Sequence, residues 1–239
     1  MKLNFTKMHG CGNDYIYINC FETQLNNPND IAKTLAKRHF SIGADGLVLI
    51  CPSSTADAKM RMFNADGSES RMCGNAIRCV GKYLYDSGIA KKEVIKVDTL
   101  SGIKTLYMQI KNGIAVGATV DMGKASFKKE DVPVVWEAEG TVSVPLTVLD
   151  RQFICTALSM GSAHAVCFVE DTAAFPLEKY GPAFENHPAF PDRVNAEFVR
   201  VIDKHNLDMR VWERGSGETW ACGTGSCACV AAACANGFC

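Results

Sequence analysis

The sequence contains two stretches that resemble each other, E-S-R-M-C-G-N at residues 69–75 and E-T-W-A-C-G-T at residues 218–224. Both follow the pattern E-[ST]-x-[MA]-C-G-[NT], and their cysteines are Cys73 and Cys222. Each stretch comes directly before a helical pattern, one in each half of the chain. A match of this length at the same place relative to a helix indicates an internal duplication.

A cysteine at the start of a helix has chemical consequences. The positive end of the helix dipole favours the thiolate form of such a residue. The glycine that follows, Gly74 or Gly223, lets a ligand approach the backbone, and the N–H groups of a first helical turn bind anions such as carboxylates. Two such helix ends can place one sulfur on each face of a substrate carbon, so that one group removes the α-proton and the other returns a proton. The motif therefore predicts racemisation by Cys73 and Cys222.

Two other interpretations of these cysteines stay open at this point. They are buried packing residues, because cysteine is among the most buried residue types. Alternatively they belong to a thiol redox enzyme, although neither has a C-x-x-C partner. The 12 cysteines of the chain show no spacing typical of a zinc site, and we expect no metal.

Composition and charge exclude several classes of protein. The 239 residues are 47% hydrophobic and carry 25 Lys and Arg against 26 Asp and Glu, for a net charge of -1. This balance is typical of a globular protein and gives no basic surface for a nucleic acid. No apolar run approaches the roughly 20 residues that cross a bilayer, and the N-terminus lacks the apolar stretch of a signal peptide. We therefore expect a soluble, cytoplasmic protein.

Short alternating or β-branched runs dominate the chain and are typical of strands. The predicted strands are residues 14–20, 47–51, 59–64, 93–98, 104–110, 114–121, 142–146, 165–169, 197–202 and 207–213. Helices are predicted from an N-cap at Asp30 to about residue 38, over residues 74–86 and over residues 223–236. The last is almost entirely Ala and Cys, which predicts burial on all sides.

The element pattern predicts an α+β fold in two parts. Many strands follow one another without a helix between them, so the sheets should be largely antiparallel. The polar stretch of residues 121–139 is the predicted boundary. It separates an N-terminal half, residues 1–120 with the Cys73 motif, from a C-terminal half, residues 121–239 with the Cys222 motif.

Further motifs resemble one known family. They are M-H-G-C-G-N-D at residues 8–14, F-N-A-D-G-S-E at residues 63–69, C-G-N at residues 73–75, and E-R-G-S-G-E-T at residues 213–219 followed by A-C-G. Together they resemble the signatures of the diaminopimelate epimerase family over essentially the whole chain. The resemblance implies interconversion of LL- and meso-2,6-diaminopimelate, a step of lysine and peptidoglycan precursor synthesis, without pyridoxal phosphate, any other cofactor or a metal.

The resemblance also implies an architecture and a set of partners. It implies two pseudo-symmetric domains, each a largely antiparallel sheet wrapped around a central helix, with the active site in the cleft between them. The partner is a small amino-acid substrate, with no nucleic acid and no membrane, and a homodimer remains an option.

The resemblance assigns roles residue by residue. Cys73 and Cys222 match the acid–base pair. The residues that match substrate-binding positions are Asn13, Asn64, Gly74, Asn75, Asn195, Glu213, Arg214, Gly223 and Thr224. Among them, Asn64, Asn195 and Arg214 match contacts to the distal, non-reacting end of the substrate. His164 and Glu213 match residues that tune the pKa values of the cysteine pair.

This chain departs from the family pattern at three places. Gly46 stands where some members carry Gln near the substrate amine, and Ser162 stands where the family has an Asn that contacts the distal end. The chain also stops at Cys239, whereas the family normally continues with further strands. For the C-terminal half we therefore expect exposed strand edges and either a low thermal stability or association through such an edge.

Two alternative functions remain open at this stage. One is a sister racemase with the same two thiols and another amino acid, such as histidine, in its distal pocket. The other is an inactive, truncated pair of domains that binds a ligand or does nothing.

Overall fold

The computed structural model describes residues 3–239, and the chain divides into two units. The first unit extends to Asp121 and the second begins at Met122, one residue from the predicted boundary between residues 120 and 121. Residues 1 and 2 of the predicted N-terminal half lie outside the described residues. Within residues 3–239, no helix has the length and apolar character needed to span a membrane.

The first unit is built on a sheet of eight strands in the part of the chain that the structure describes. Its elements are β1 (Thr6–Gly10), β2 (Asn13–Asn19), α1 (Pro28–Leu35), β3 (Gly46–Cys51), β4 (Ala58–Asn64), β5 (Glu69–Ser70), α2 (Gly74–Asp86), β6 (Val94–Asp98), β7 (Lys104–Lys111) and β8 (Ile114–Val120). The strand order is β1-β2-β3-β4-β6-β7-β8, and β5 also pairs with β4. The β2–β3 and β4–β6 pairs are parallel, and the other described pairs are antiparallel.

The second unit is built on a six-stranded sheet. Its elements are a short 3-10 helix (Lys129–Asp131), β9 (Val144–Val148), β10 (Arg151–Ser159), β11 (Ala163–Phe168), α3 (Leu177–Glu185), β12 (Asn195–Asp203), β13 (Asn206–Glu213), β14 (Gly217–Thr219) and α4 (Gly223–Ala235). The strand order is β14-β13-β12-β11-β10-β9, with β11–β12 as a parallel pair among antiparallel ones. The predicted α+β class with largely antiparallel sheets is confirmed.

The two units repeat one order of elements. The order β1-β2-α1-β3-β4-β5-α2 of the first unit recurs as β10-β11-α3-β12-β13-β14-α4 in the second. Corresponding strand pairs also have the same sense, because each hairpin is antiparallel and each pair joined through α1 or α3 is parallel. A parallel pair requires such a crossover connection. The duplication suggested by the cysteine motifs therefore extends over the core of both units.

Each sheet carries the helix that follows a cysteine motif on one face and the crossover helix on the other. Helix α2 packs against β1 and β8, the two ends of its sheet, so the first sheet wraps around it. Its residues Ile77, Val80 and Leu84 are fully buried against that sheet. Helix α4 packs against β10, β11, β12 and β13 of the second unit. In this way each sheet holds one cysteine-bearing helix end in place.

Two predictions about helices were wrong. Helix α1 begins at Pro28 after Asn27, whose backbone is left-handed (φ 52°), so Asp30 lies in the first turn instead of forming the N-cap. Proline is favoured at a first helical position because its φ is already helical. Helix α4 is buried on one side through Ala228, Ala232 and their neighbours, whereas Val230 is 54% exposed. The small side chains of α4 give a pattern that does not distinguish a buried face from an exposed one.

Gly46, at the first position of β3, provides a test of how tightly β3 packs against β4. A Cβ atom at this position would overlap the carbonyl oxygen of Phe63 and lie 2.9 Å from the Tyr15 ring. We expect Gly46→Ala to lower the free energy of unfolding by about 1–3 kcal/mol, because backbone atoms would have to move. Urea unfolding of the two proteins measures this difference. Gly140→Ala is the matched control, since a Cβ at Gly140 meets nothing within 4 Å. Equal losses in both variants would contradict the packing argument.

Candidate functional site

Both motif cysteines occupy the N-cap of a helix. The Sγ of Cys73 accepts a hydrogen bond from the Ala76 N–H at 3.5 Å, and the Sγ of Cys222 accepts one from the Gly225 N–H at 3.3 Å. Serine, threonine and aspartate usually fill this position, because the first helical N–H groups lack partners within the helix. Each sulfur therefore lies at the positive end of a helix dipole. Gly74 and Asn75, like Gly223 and Thr224, form the first turn behind it.

The Cys73 thiol lies against amide groups. It contacts the Oδ1 of Asn13 at 3.4 Å, and the Asn75 side-chain amide approaches the same oxygen at 3.5 Å. The backbone of β1 passes close by, since a Cβ on Gly10 would lie 2.8 Å from the Asn75 carbonyl oxygen. The structure thus brings together Asn13, Cys73 and Asn75, three of the predicted site residues.

A carboxylate fixes the orientation of the Asn13 amide. The Asn13 Nδ2 donates to Asp45 at 2.7 Å, and the Asp14 N–H donates to the same carboxylate oxygen at 3.1 Å. Arg38 donates to the other oxygen of Asp45 at 2.9 Å. Because Nδ2 is held in this way, the Asn13 carbonyl oxygen is the group that faces Cys73. Asp45 was not among the predicted site residues, although it stands directly before Gly46.

Two predicted site residues of the first unit, Gly46 and Asn64, lie opposite each other on neighbouring strands. Gly46 pairs with Asn64 across β3 and β4, and with Tyr15 across β2 and β3. The Asn64 amide donates to the Ser68 hydroxyl at 3.0 Å, within the turn that leads to the cysteine motif. Gly46 has no side chain to offer a ligand, and the close approach of Phe63 leaves no space for one.

The Cys222 thiol is buried beside carboxyl groups. It is 7% exposed and lies 3.4 Å from the Thr224 hydroxyl. Burial raises the pKa of Cys222 well above its usual value, and the negative charges of Glu213 and Glu197 raise it further. Burial also raises the pKa of Glu213, although a hydrogen bond from Thr219 opposes this rise. The surroundings of Cys222 therefore favour its protonated, thiol form.

His164 is held on both of its ring nitrogens. Its Nδ1 lies 2.6 Å from the Oε1 of Glu197, and its Nε2 lies 3.0 Å from the Ser162 hydroxyl. Both His164 and Glu197 are completely buried. Ser162 thus contacts a predicted site residue, and the pair behind it is shielded from solvent.

Glu197 is the second residue that sequence analysis missed. A Cβ on Gly225, in the first turn of α4, would lie 2.7 Å from its Oε1, so the carboxyl group packs directly under that helix end. Its Oε2 has no hydrogen-bond partner among the described residues. Burial raises the pKa of Glu197, and His164 opposes this rise. The sequence of β12 gives no local signal for this role, since the strand also contains the charged residues Arg200 and Asp203.

Asn195 and Arg214 meet through the backbone. The Asn195 amide donates to the Ala163 carbonyl and accepts from the Arg214 N–H, both at 3.0 Å. The buried Glu185 accepts from the Gly215 N–H at 2.9 Å and so holds the same turn. The Arg214 guanidinium is exposed and donates to the Asp192 carbonyl. The amide of Asn195 is therefore engaged in shaping the turn that carries Arg214.

The corresponding positions of the two units carry different chemistry. Asn64 ends β4 nine residues before Cys73, and Glu213 ends β13 nine residues before Cys222. Tyr15 pairs with the first residue of β3, and His164 pairs with the first residue of β12. The cysteine of the first unit is accompanied by amide groups, and that of the second by acidic ones. Within residues 3–239, no group of three His, Cys, Asp or Glu residues is placed to hold a metal ion.

Comparison with known proteins identifies relatives across the whole chain. A sequence model of diaminopimelate epimerase matches residues 5–128 and 156–238. The diaminopimelate epimerase of Acetivibrio thermocellus is 56% identical over 98% of this chain and 84% of its own length. That of Methanococcus maripaludis is 52% identical over 99% of this chain and 85% of its own length. Among solved structures, a probable proline racemase from Agrobacterium radiobacter has a similar fold, with a TM-score of 0.74, 15% identity, and coverage of 100% of this chain and 78% of that protein.

The buried Glu197 leads to a prediction about pH and stability. Because its pKa is raised in the folded state, its contribution to stability is complete below the unfolded value of about 4.3 and is lost as the pH rises through the folded value. We expect the free energy of unfolding of the wild type, relative to Glu197→Gln, to fall above that pH by up to about 1.4 kcal/mol per pH unit. Denaturant unfolding at several pH values measures the difference.

Glu178→Gln serves as the control for this prediction, since it removes a carboxyl group from an exposed position of α3. The difference in stability between wild type and this control should change with pH less than the difference between wild type and Glu197→Gln. A wild-type minus Glu197→Gln difference that does not change with pH would show that Glu197 is ionised in the folded protein as readily as in the unfolded chain.

Proposed function

The chain belongs to the diaminopimelate epimerase family, and we propose that it interconverts LL- and meso-2,6-diaminopimelate through Cys73 and Cys222. It is a cofactor-independent epimerase whose substrate is a free amino acid. The family resemblance seen in its sequence motifs is confirmed. The observation that carries the assignment of the two cysteines is their shared position, since each thiol caps a helix whose first turn can bind an anion. We assign the reaction to lysine and peptidoglycan precursor synthesis in the cytoplasm.

The first turns of α2 and α4 supply the sites for the reacting carboxylate. The backbone N–H groups of Gly74, Asn75, Gly223 and Thr224 belong to these turns. Hydrogen bonds from such groups stabilise a carboxylate, and they become stronger when proton removal converts it to an enediolate. One cysteine removes the α-proton as thiolate and the other returns a proton as thiol, which inverts the carbon. The protonation states of the two cysteines are exchanged after one turnover.

The chemical difference between the two units supports an assignment of the resting states. Cys222 is buried beside Glu213 and Glu197, both of which disfavour a third negative charge. Cys73 occupies the N-cap of a helix whose dipole favours the thiolate. In this proposal Cys73 begins as the base and Cys222 as the acid. The His164–Glu197 pair keeps Cys222 in its thiol form by placing a buried carboxyl group under the first turn of α4.

The remaining site residues bind the ends of the substrate or hold other site residues in place. Asn13 accepts a hydrogen bond from the reacting ammonium group, because Asp45 orients its carbonyl oxygen toward Cys73. Arg214 can bind the distal carboxylate through its guanidinium fork. Asn195 supports Arg214 by holding its backbone N–H, and Ser162 supports His164. Asn64 completes the distal contacts.

Single cysteine variants test the proposed acid–base pair. We expect Cys73→Ala and Cys222→Ala each to lower epimerisation by more than a thousandfold, because neither proton transfer has a substitute group. Chiral chromatography of LL- and meso-diaminopimelate measures the rate, and circular dichroism checks that the fold is kept. Cys227→Ala is the control, since Cys227 lies inside α4 and not at its N-cap. Substantial epimerisation by Cys222→Ala would overturn the mechanism, and activity of the wild type on histidine but not diaminopimelate would overturn the substrate.

A second variant tests the orientation of Asn13. In Asp45→Ala the Asn13 amide is free to rotate, so its NH2 group can face the substrate ammonium. We expect the kcat/KM to fall by roughly tenfold, since a hydrogen bond to a charged group contributes about 1.5–3 kcal/mol. Steady-state kinetics measures this change. Asp57→Asn is the control, because Asp57, directly before β4, likewise accepts from a backbone N–H and pairs with a basic side chain, that of Lys92. An unchanged kcat/KM in Asp45→Ala would show that Asn13 does not depend on the carboxylate.

A further inference from the structure

Two cysteines that take no part in the proposed reaction lie next to each other in the first unit. Cys51 is the last residue of β3, and Cys20 directly follows β2. The parallel strands pair Asn19 with Ile50, and the Cys20 N–H donates to the Ile50 carbonyl at 2.8 Å, so the next position brings the two cysteines side by side. Both side chains pack onto the same hydrophobic cluster and therefore point to the same face. Both are partly exposed.

The charges around this pair favour a thiolate on one of the two sulfurs. A hydrogen bond from the Cys20 thiol lowers the pKa of Cys51 to about 7, and the positive charges of Arg61 and Lys59 on β4 act in the same direction. Burial and the carboxylate of Glu69 oppose this effect, but Arg61 binds Glu69 at 2.7 Å. The pKa of Cys20 is raised, because its proton is shared with Cys51. Cys51 is thus the nucleophile of the pair and Cys20 its proton donor.

We propose that Cys20 and Cys51 form a second reactive thiol site, which takes low-molecular-weight disulfides as its substrate. The site lies at the far ends of β2 and β3, whereas Asn13 and Gly46 begin these strands. The proposal stands on the register of the two cysteines, their common face and their partial exposure, and it is independent of the epimerase reaction.

The reaction proceeds in two balanced exchanges. The Cys51 thiolate attacks one sulfur of the small disulfide, forms a mixed disulfide and releases one small thiolate. Cys20 then loses its proton and attacks the Cys51 sulfur, which forms the Cys20–Cys51 disulfide and releases the second small thiolate. The two protein thiols lose two electrons, and the small disulfide gains them to become two thiols. The Cys20 proton passes to the thiolate that leaves last.

The second unit contains a matched pair that should not react. Cys155 and Cys167 are direct neighbours across β10 and β11, but they are only 0% and 1% exposed. Burial raises the pKa of Cys167, so it resists ionisation. The two pairs share the placement of adjacent cysteines on paired strands and differ in access and charge. A comparison of the two pairs shows whether two adjacent cysteines are enough for reaction, or whether exposure and nearby positive charge are also needed.

A bond between Cys20 and Cys51 would also affect stability. It would close the segment that contains α1 and the loop with Arg38 and Asp45. A cross-link of this kind limits the freedom of the unfolded chain. We therefore expect the oxidised protein to unfold several degrees higher than the reduced protein.

The test treats the whole native protein with oxidised glutathione, followed by acid quenching and peptide mass spectrometry without reduction. We expect a linked Cys20–Cys51 peptide, whereas Cys155 and Cys167 remain thiols. In Cys20→Ala, Cys51 should instead carry glutathione as a stable mixed disulfide. Alkylation of Cys51 by iodoacetamide should be half-maximal near the pKa of about 7 and shift to higher pH in Cys20→Ala.

Two results would overturn the proposal. One is a Cys51 that reacts with oxidised glutathione or iodoacetamide no faster than Cys155 in the native protein. The other is a stable mixed disulfide on Cys51 in the wild type, which would show that Cys20 does not attack it. The Cys20→Ala variant should keep full epimerase activity. The result of this experiment therefore tests only the Cys20–Cys51 site, and the roles of Cys73 and Cys222 are tested separately.

Discussion

The first N–H groups of a helix need hydrogen-bond acceptors outside its own backbone. In each unit of this protein, a cysteine sulfur is the acceptor for one of these N–H groups. The Sγ of Cys73 and the Sγ of Cys222 both accept from the third residue of the following helix. The remaining N–H groups of the turn point in the same direction as the sulfur. One backbone arrangement therefore fixes both the reactive atom and an anion-binding site beside it.

The duplicated fold gives the two cysteines equivalent positions, and the side chains beneath them make their environments unequal. In the first unit the corresponding strand positions carry Tyr15 and Asn64, neither of which is acidic. In the second unit they carry His164 and Glu213, with Glu197 two residues along β12 from Asn195. A two-base reaction needs one acid and one base at the start of each turnover. The equivalent backbone positions of Cys73 and Cys222, together with their different neighbouring side chains, meet the need for one acid and one base.

The sequence was sufficient to predict the elements with strong local signals. Residues 74–86 were predicted as a helix and form α2, because apolar spacing, a cysteine motif and Gly88 mark both the helix and its ends. Helix α3 was missed, since Pro182 lies inside it and Gly181 weakens its helical pattern. The strands β1, β5, β10 and β14 were also missed. Two of these, β5 and β14, are only two or three residues long and depend on their partner strands.

The site residues divide in a similar way. Motif residues such as Asn13, Cys73 and Cys222 could be predicted because the duplication and the family signatures mark them. Asp45 and Glu197 could not, because their roles depend on residues far away in the chain. Asp45 acts on Asn13 from the loop before β3, and Glu197 reaches both His164 and the first turn of α4. Such contacts are set by strand register and helix packing, which no local pattern encodes.

The most direct test of the two-thiol account is the fate of solvent deuterium early in the reaction. LL-diaminopimelate is incubated with the enzyme in D2O, and the recovered substrate and the meso product are separated and analysed by NMR and mass spectrometry. Since the proton is removed by one cysteine and returned by the other, which has exchanged with solvent, the account predicts deuterium at the α-carbon of the product and almost none in the remaining LL substrate. Deuterium that appears equally fast in recovered substrate and product, or a product without deuterium, would show that a single group carries the proton and would contradict the account.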